Sequence, residues 1–219
     1  MAQIFHRSTN TLSKVTLFGA VFFVGALGWV FAQLDRSAYN TGQGVVINQP
    51  VPFSHDHHTA GLGIDCRYCH TAVEVAASAG IPPIATCMNC HKQIWADSPM
   101  LEPIRQSYAN KEPIRWQRIH DLPDFVYFDH SVHVAKGVGC ATCHGRVDRM
   151  PLIYQASSLQ MEWCLECHRQ PERFVRPRAE IVNMNWQAPG GRSGQRRLGK
   201  ELVAEYNIQS KVNCSVCHR

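Results

Sequence analysis

Cysteine and histidine are the residues of this chain whose spacing could do chemistry. All ten cysteines fall into pairs separated by two residues, and a histidine follows the second cysteine of every pair. We number these Cys-x-x-Cys-His motifs in chain order. Motif 1 is Cys66, Cys69 and His70; motif 2 is Cys87, Cys90 and His91; motif 3 is Cys140, Cys143 and His144; motif 4 is Cys164, Cys167 and His168; motif 5 is Cys214, Cys217 and His218.

Each motif predicts the covalent attachment of one haem c. The two thiols form thioether bonds to the porphyrin vinyl groups, and the histidine becomes the proximal ligand of the iron. A structural zinc site needs four ligands and gives no reason for a histidine after every second cysteine. A disulfide framework prescribes no such histidine either. The cysteines therefore predict five covalently bound haem c groups, with no cysteine left over.

The second axial position decides whether a haem iron only carries electrons or can also bind a substrate. Two Phe-x-His-x-x-His elements stand ahead of motifs 1 and 3, as FSHDHH at 53–58 and FDHSVH at 128–133. Two histidines three residues apart lie near one face of a helical turn, so each can serve a different haem. The candidate distal ligands from these elements are His55, His58, His130 and His133.

Other candidates for the distal positions are weaker. Outside the motifs and the two elements, the histidines are His6 and His120. His6 precedes the apolar segment described below, so His120 is the fifth distal candidate. His57 is left undecided, since Val132 occupies the matching place in the second element. Methionine also ligates haem iron and raises its reduction potential, which makes Met184 and Met161 alternative distal ligands.

The two elements belong to a longer repeat whose second copy begins 75 residues after the first. This repeat predicts a first dihaem module over 53–127 and a second over 128–188, followed by a basic loop and the fifth haem site over 189–219. Within these segments we expect a helix from Ser98–Pro99 to about Tyr108 and a short strand from Phe125 to Phe128. Residues 189–200 read as a surface loop, and residues 200–207 are a weak helix candidate.

The amino-terminal region contains 20 residues without a charge, 15–34, which is the length of a transmembrane helix. Arg7 and Lys14 precede it, so we expect residues 1–14 in the cytoplasm and the rest outside. The absence of an A-x-A cleavage pattern predicts an uncleaved signal anchor in the inner membrane. Residues 35–52 read as a linker, and residues 53–219 as a periplasmic pentahaem domain.

The positive charge is concentrated near the carboxyl end, where residues 169–219 contain ten Lys or Arg and four Asp or Glu. Nucleic acid is a poor explanation outside the cytoplasmic membrane. Haem propionates and a partner subunit are the expected counterparts of these arginines. Together these features predict a multihaem cytochrome c that is mainly α-helical with much irregular structure, a core built around its haems, and one amino-terminal transmembrane helix.

The Phe-x-His-x-x-His elements ahead of the haem motifs resemble those of the class III (cytochrome c3/c7-like) multihaem cytochromes. That resemblance implies low-spin haems with mostly two histidine ligands. It also implies that the first histidine of each element serves the haem that follows it, which pairs His55 with motif 1 and His130 with motif 3. The haems served by His58 and His133 stay open.

A further resemblance covers nearly the whole chain. With its single span and five haem sites, the chain is similar to the pentahaem cytochrome c subunit of bacterial alternative complex III. The stretches that carry this resemblance are GLGIDCRYCH, TCMNCH, HDLPDFVYFDHSVH, GVGCATCHGRV and LQMEWCLECHR. It implies an iron–sulfur protein subunit and integral membrane quinol-binding subunits as partners, with a monohaem cytochrome c or another periplasmic acceptor downstream.

The expected function is conduction of electrons within a quinol-oxidising respiratory or photosynthetic complex, by an electron-transfer subunit that is not itself an enzyme. The alternative from the same broad class is a quinol dehydrogenase-type multihaem cytochrome that feeds a periplasmic reductase. A catalytic multihaem reductase would require an open iron position, and the six non-motif histidines beyond the span argue against it.

Overall fold

The computed structural model describes residues 4–218. These residues divide into two compact units, one ending at Gln43 and the other beginning at Gly44. Within the described residues, β structure is limited to two isolated antiparallel bridges, Val46–Tyr154 and Val138–Val175. The chain is thus mainly helical with much irregular structure, as the sequence predicts.

The first unit consists of helix α1, Ser8–Arg36, and the short helix α2, Ala38–Thr41. Helix α1 contains the whole predicted span, and none of its residues is buried. It ends where Ser37 turns into extended backbone, with Arg36 in the last turn, where a cation complements the helix dipole. Of the helices in residues 4–218, this one is long and apolar enough to cross a membrane.

The second unit is built from short helices joined by irregular backbone. Its α-helices are α3 Cys66–Cys69, α4 Ile84–His91, α5 Glu102–Asn110, α6 His130–Ala135, α7 Cys140–His144, α8 Met161–Arg169, α9 Gly191–Glu205 and α10 Cys214–Cys217. A π-helix covers Asp56–Gly61, and 3₁₀ turns cover Pro99–Leu101, Val147–Arg149, Pro171–Arg173 and Arg178–Glu180.

The motifs take two alternating positions on these helices. Motifs 1, 3 and 5 begin the one-turn helices α3, α7 and α10, whereas motifs 2 and 4 lie at the carboxyl ends of the longer helices α4 and α8. The first and second sites of each predicted dihaem module therefore have the same local structure in both copies. This agreement supports the repeat read from the sequence.

Two sequence predictions about this unit are wrong. The basic segment 189–200 is not a loop, because α9 begins at Gly191 and continues through it to Glu205. Its glycines suggested a break, yet Gly194 and Gly199 are buried points of close backbone approach. Residues Phe125–Phe128 form no strand, although the backbone N–H of Tyr127 donates to the carbonyl of Cys217 at 2.8 Å. The predicted helix near Ser98 is confirmed, as a 3₁₀ turn that continues into α5.

Buried apolar side chains form two small clusters in the second unit. One joins Val51, Leu101 and Ile104 beneath α4 and α5, and the other joins Val175, Leu202 and Tyr206 beneath α9. Most of the histidines and cysteines of the motifs lie outside these clusters and are half-buried. The side chains alone supply little core, which is expected where a cofactor provides part of the apolar interior.

Candidate haem-binding site

Three pairs of histidines face each other at one common distance. Their ring centres are 6.1 Å apart for His58 and His91, 6.2 Å for His130 and His144, and 6.1 Å for His133 and His168. Two bonds of about 2 Å from a metal to imidazole nitrogens, plus about 1.1 Å from each nitrogen to its ring centre, add to about 6 Å. Each pair has the separation of two imidazoles on opposite sides of one metal ion.

Each pair also has the same composition. One histidine ends a Cys-x-x-Cys-His motif, and the other comes from a Phe-x-His-x-x-His element. His55 completes the pattern with His70: it is the first histidine of its element, as His130 is, and the charge of His70 helps to lower its pKa. The first histidine of each element thus approaches the motif that follows it, and the second approaches the next motif.

Hydrogen bonds fix which ring nitrogen is available for a ligand. Six of the motif and element histidines place Nδ1 at 2.6–3.2 Å from a backbone carbonyl oxygen. These contacts are His58 to Ser54, His70 to Gly80, His91 to Ile94, His130 to Ala77, His133 to Asp129 and His218 to Phe125. Nδ1–H donates to the carbonyl, so the lone pair remains on Nε2, as is typical of histidines that bind metals.

The phenylalanine of each element holds both histidines in the same way. Phe53 meets His55 edge-on at 4.9 Å and stacks on His58 at 4.4 Å, and in the second copy the corresponding distances are 4.8 Å and 4.4 Å. The first copy has one more residue between its first histidine and its motif. The π-helix Asp56–Gly61 stands where the second copy has α6, and such a turn accommodates one inserted residue.

Burial favours the neutral form of three of the buried imidazoles, His55, His133 and His144. Desolvation, followed by the charges of His70 and His58, lowers the pKa of His55 to about 4. Desolvation also lowers the pKa of His144 to about 3, with His120 as the next cause. The pKa of His133 is lowered mainly by desolvation too, although its bond to the Asp129 carbonyl opposes the shift. A neutral imidazole is the form that binds a metal.

The weaker candidates have different surroundings. His57 is exposed and stacks on Trp95 at 5.7 Å. Nε2 of His120 lies 3.2 Å from Nδ1 of His144. Met161 is 65% exposed, whereas Met184 is half-buried.

The cysteines of different motifs are neighbours in a definite order. Cys66 and Cys140 are each the largest cause of the other's pKa shift, which lowers the pKa of Cys66 and raises that of Cys140, so motifs 1 and 3 are neighbours. Cys69 interacts electrostatically with Cys87 of motif 2, and Cys143 does so with both cysteines of motif 4. Cys164 interacts in the same way with Cys217 of motif 5. These electrostatic interactions connect the motifs in the order 2, 1, 3, 4, 5.

Six of the ten thiols have a raised pKa, which disfavours thiolate, whereas the neighbouring Cys140 lowers the pKa of Cys66 to about 7. Burial raises the pKa of Cys143 to about 12 and that of Cys167 to about 11. A structural zinc site needs ionised thiolates, whereas a thioether carries no charge and is favoured by the same burial. Among the described residues there is no group of three or more His, Cys, Asp or Glu that could hold a metal ion.

A cavity beside motifs 3 and 4 fits a porphyrin with its carboxylates. Its volume is about 1050 Å³, and its lining includes Thr142, Trp163, Arg176, Trp186 and Arg192. Arg176 is buried over the ring of Trp186, and its Nε has no hydrogen-bond partner in the described structure. Desolvation lowers the pKa of this guanidinium. A buried cation with an unused N–H calls for an anionic partner, and a haem propionate is such a group.

Sequence reasoning missed the individual role of Arg176 and the pairing of His120 with His144. The arginines of the carboxyl-terminal third were expected to meet propionates, but nothing in their spacing distinguishes Arg176 from its neighbours. The contact between His120 and His144 joins residues 24 positions apart, of which His120 lies in irregular backbone and His144 ends helix α7. No periodic pattern marks such a contact in the sequence.

Comparison with known families identifies the class to which these features are similar. The family described as "Class III cytochrome C family" matches residues 32–112, and the family described as "Cytochrome c7 and related cytochrome c" matches residues 126–219. The two matches fall on the two halves that carry the two Phe-x-His-x-x-His elements. They support a multihaem cytochrome c with covalently attached haem.

A similar individual protein is the menaquinone reductase multihaem cytochrome c subunit of Nitratidesulfovibrio vulgaris (strain Hildenborough). It is 27% identical over 176 residues, which cover 68% of this chain and 80% of the relative. This similarity suggests membrane-associated electron transfer and makes partners in a membrane complex plausible.

Proposed function

We propose that this chain is a membrane-anchored pentahaem c-type cytochrome that conducts electrons as a subunit of a quinol-oxidising complex, alternative complex III. The observation that carries the proposal is the common separation of 6.1–6.2 Å in three histidine pairs. Iron held by two strong ligands has no open position for a substrate, so its role is electron transfer. The chain is therefore a conducting subunit and not a stand-alone enzyme.

The proposed binding residues follow from the pairs. The ten cysteines form the thioether bonds, and His70, His91, His144, His168 and His218 are the proximal ligands. The distal ligands are His55 opposite His70, His58 opposite His91, His130 opposite His144 and His133 opposite His168. When bound, haem c supplies a one-electron ferric–ferrous couple. The chain orients the element histidines with Phe53 and Phe128, and it provides Arg176 for a propionate.

The proposed path through the protein follows the cysteine contacts. Motifs 1 and 3 are joined by the Cys66–Cys140 contact, so the two modules meet at their first sites. Motif 2 then stands at one end of the row and motif 5 at the other. Further hydrogen bonds support two steps of the row: Asn89 donates to the hydroxyl of Tyr68 at 3.0 Å between motifs 2 and 1, and Ser210 donates to the carbonyl of His168 at 2.7 Å between motifs 5 and 4.

The proposed setting is the inner membrane, with α1 as an uncleaved anchor and the haem-binding unit on the periplasmic side. Arg7 and Lys14 ahead of the apolar run support this orientation. The expected partners are an iron–sulfur protein subunit, integral membrane quinol-binding subunits and a monohaem cytochrome c or another periplasmic acceptor. In this arrangement electrons leave quinol, pass the iron–sulfur side and continue outward through the five haems.

The similarity to a menaquinone reductase subunit favours a second candidate function. In this second function, the chain would carry electrons between a periplasmic protein and the quinone pool, and the partner proteins would set the net direction of electron flow. The quinol dehydrogenase reading, in which the cytochrome feeds a periplasmic reductase, belongs to the same group of quinone-linked systems. All these functions use the same haem-binding residues and differ in the proteins at the two ends.

Isolation of the native complex distinguishes these functions. An affinity tag at the carboxyl end of the chain should recover an iron–sulfur subunit and integral membrane subunits, with five covalent haems counted by intact mass and by pyridine haemochrome. Quinol should reduce the haems of the isolated complex, and the electrons should pass to an added periplasmic cytochrome. Recovery without an iron–sulfur subunit would favour the quinol dehydrogenase, and net reduction of a menaquinone analogue would favour the menaquinone reductase.

A further inference from the structure

His120 has a contact that sets it apart from the other buried histidines. Its Nε2 lies 3.2 Å from Nδ1 of His144, and the two rings meet at 73° with their centres 4.3 Å apart. His144 also lies near His130, with parallel rings whose centres are 6.2 Å apart. His144 therefore has one histidine at ligand separation and a second at hydrogen-bond distance.

The direction of this hydrogen bond follows from the ligation of His144. A proximal histidine that binds iron through Nε2 carries its proton on Nδ1, so Nδ1–H is the donor. The acceptor is then the lone pair on Nε2 of His120. That nitrogen is committed to His144 and is not available to an iron atom.

We infer that His120 is a positioning residue that accepts a hydrogen bond from the proximal ligand His144, and that it is not the distal ligand of the fifth haem. The inference rests on the proposed attachment of haem to motif 3. In this role, the hydrogen bond to His120 would tune how much electron density His144 donates to its iron. The distal position opposite His218 must then be served by a group other than His120.

The equivalent site in the first module shows what this contact changes. There the proximal ligand His70 donates from Nδ1 to the carbonyl oxygen of Gly80 at 2.7 Å. An imidazole nitrogen is a stronger base than an amide oxygen, so it draws the Nδ1 proton further from its ligand. His144 thereby gains more anionic character, binds ferric iron more tightly than ferrous iron, and lowers the reduction potential of the haem of motif 3.

Replacement of His120 tests this role in the full-length protein purified in detergent. His120→Ala removes the acceptor, and one haem should shift to higher potential by about a tenfold change in its preference for ferric iron, which is about 59 mV for a one-electron couple. His120→Gln restores a carbonyl acceptor, which is weaker than imidazole, and should return part of that shift. His57→Ala is the matched control, because it removes a non-motif histidine from the same unit and should move no potential.

Redox titration followed by electron paramagnetic resonance separates the outcomes. The inference requires that all five haems of His120→Ala stay attached and that none becomes high-spin. A new high-spin haem would identify His120 as a distal ligand and overturn the inference, as would five unchanged potentials. If the purified wild-type chain carried no covalent haem, the proposed function itself would fail, which is a separate result.

If the His120 variants do not accumulate, a measurement on the wild-type protein decides whether His120 is a distal ligand. Near-infrared magnetic circular dichroism counts the haems with two histidine ligands, and four are expected from the four proposed pairs. Five such haems that persist in His57→Ala would require His120 as a ligand and would refute the inference.

Discussion

At the scale of single residues, the candidate haem-binding site is a set of imidazoles whose available nitrogen is set by a local hydrogen bond. His58 and His133 each donate from Nδ1 to the carbonyl four residues earlier, at 2.7 and 2.6 Å. The same backbone turn that presents the ring thus also fixes its tautomer. The sequence predicted these residues as ligand candidates because the two elements match, and the structure adds a partner for each of them.

His58 is the most direct test at this scale. His58→Ala should convert one haem, that of motif 2, from low-spin to high-spin while all five haems stay attached, because the thioether bonds and His91 remain. Electron paramagnetic resonance of the oxidised protein detects the change. His57→Ala should leave every haem low-spin. A high-spin haem in His57→Ala and none in His58→Ala would assign the distal position to His57.

At the scale of elements, α9 shows how glycine can mark contact as well as a break. A Cβ on Gly199 would lie 1.9 Å from the carbonyl oxygen of Glu172, and one on Gly194 would lie 1.7 Å from that of Pro189. Helix α9 therefore packs its backbone directly against the turn Pro171–Arg173. The sequence predicted a surface loop over residues 189–200. The close approach of Gly199 to Glu172 joins segments that are distant in the sequence, so it leaves no local pattern there.

Gly199→Ala tests this packing. The added methyl group collides with backbone that cannot move aside, so the free energy of unfolding should fall by about 1–3 kcal/mol, even though alanine favours the helix. Denaturant unfolding followed by circular dichroism measures the change. Lys200→Ala, at the next and exposed position, should stay within about 0.5 kcal/mol of the wild-type value. Equal stability of Gly199→Ala and Lys200→Ala would contradict the proposed contact.

At the scale of the whole haem-binding unit, the order of the sites differs from the order of the motifs. Motif 2 is followed in the sequence by motif 3, yet the cysteine contacts join motif 3 to motif 1. His130 of the second predicted module also contacts the first. Its backbone N–H and its Nδ1–H both donate hydrogen bonds to the carbonyl oxygen of Ala77. The proposed order therefore makes the site of motif 2 a terminal one.

Removal of single haems tests this order. In the double variant Cys66→Ala and Cys69→Ala, the haem of motif 2 should lose rapid electron exchange with the other three, because its neighbour in the row is gone. Pulse radiolysis of the purified protein measures the equilibration. The matched variant Cys87→Ala and Cys90→Ala removes the terminal haem, and its four remaining haems should still equilibrate rapidly. Fast exchange that includes motif 2 in the first variant would exclude the proposed row.

The sequence by itself determined which residues can attach haem, how many motifs there are, and where a helix long and apolar enough to cross a membrane lies. These features are local, because thioether attachment needs two cysteines and a histidine within five residues and a span needs one uninterrupted apolar run. The tertiary structure decided which histidine faces which motif, that His120 meets His144, and that motif 1 adjoins motif 3. Those contacts join residues up to 74 positions apart, and only the packing of the backbone brings them together.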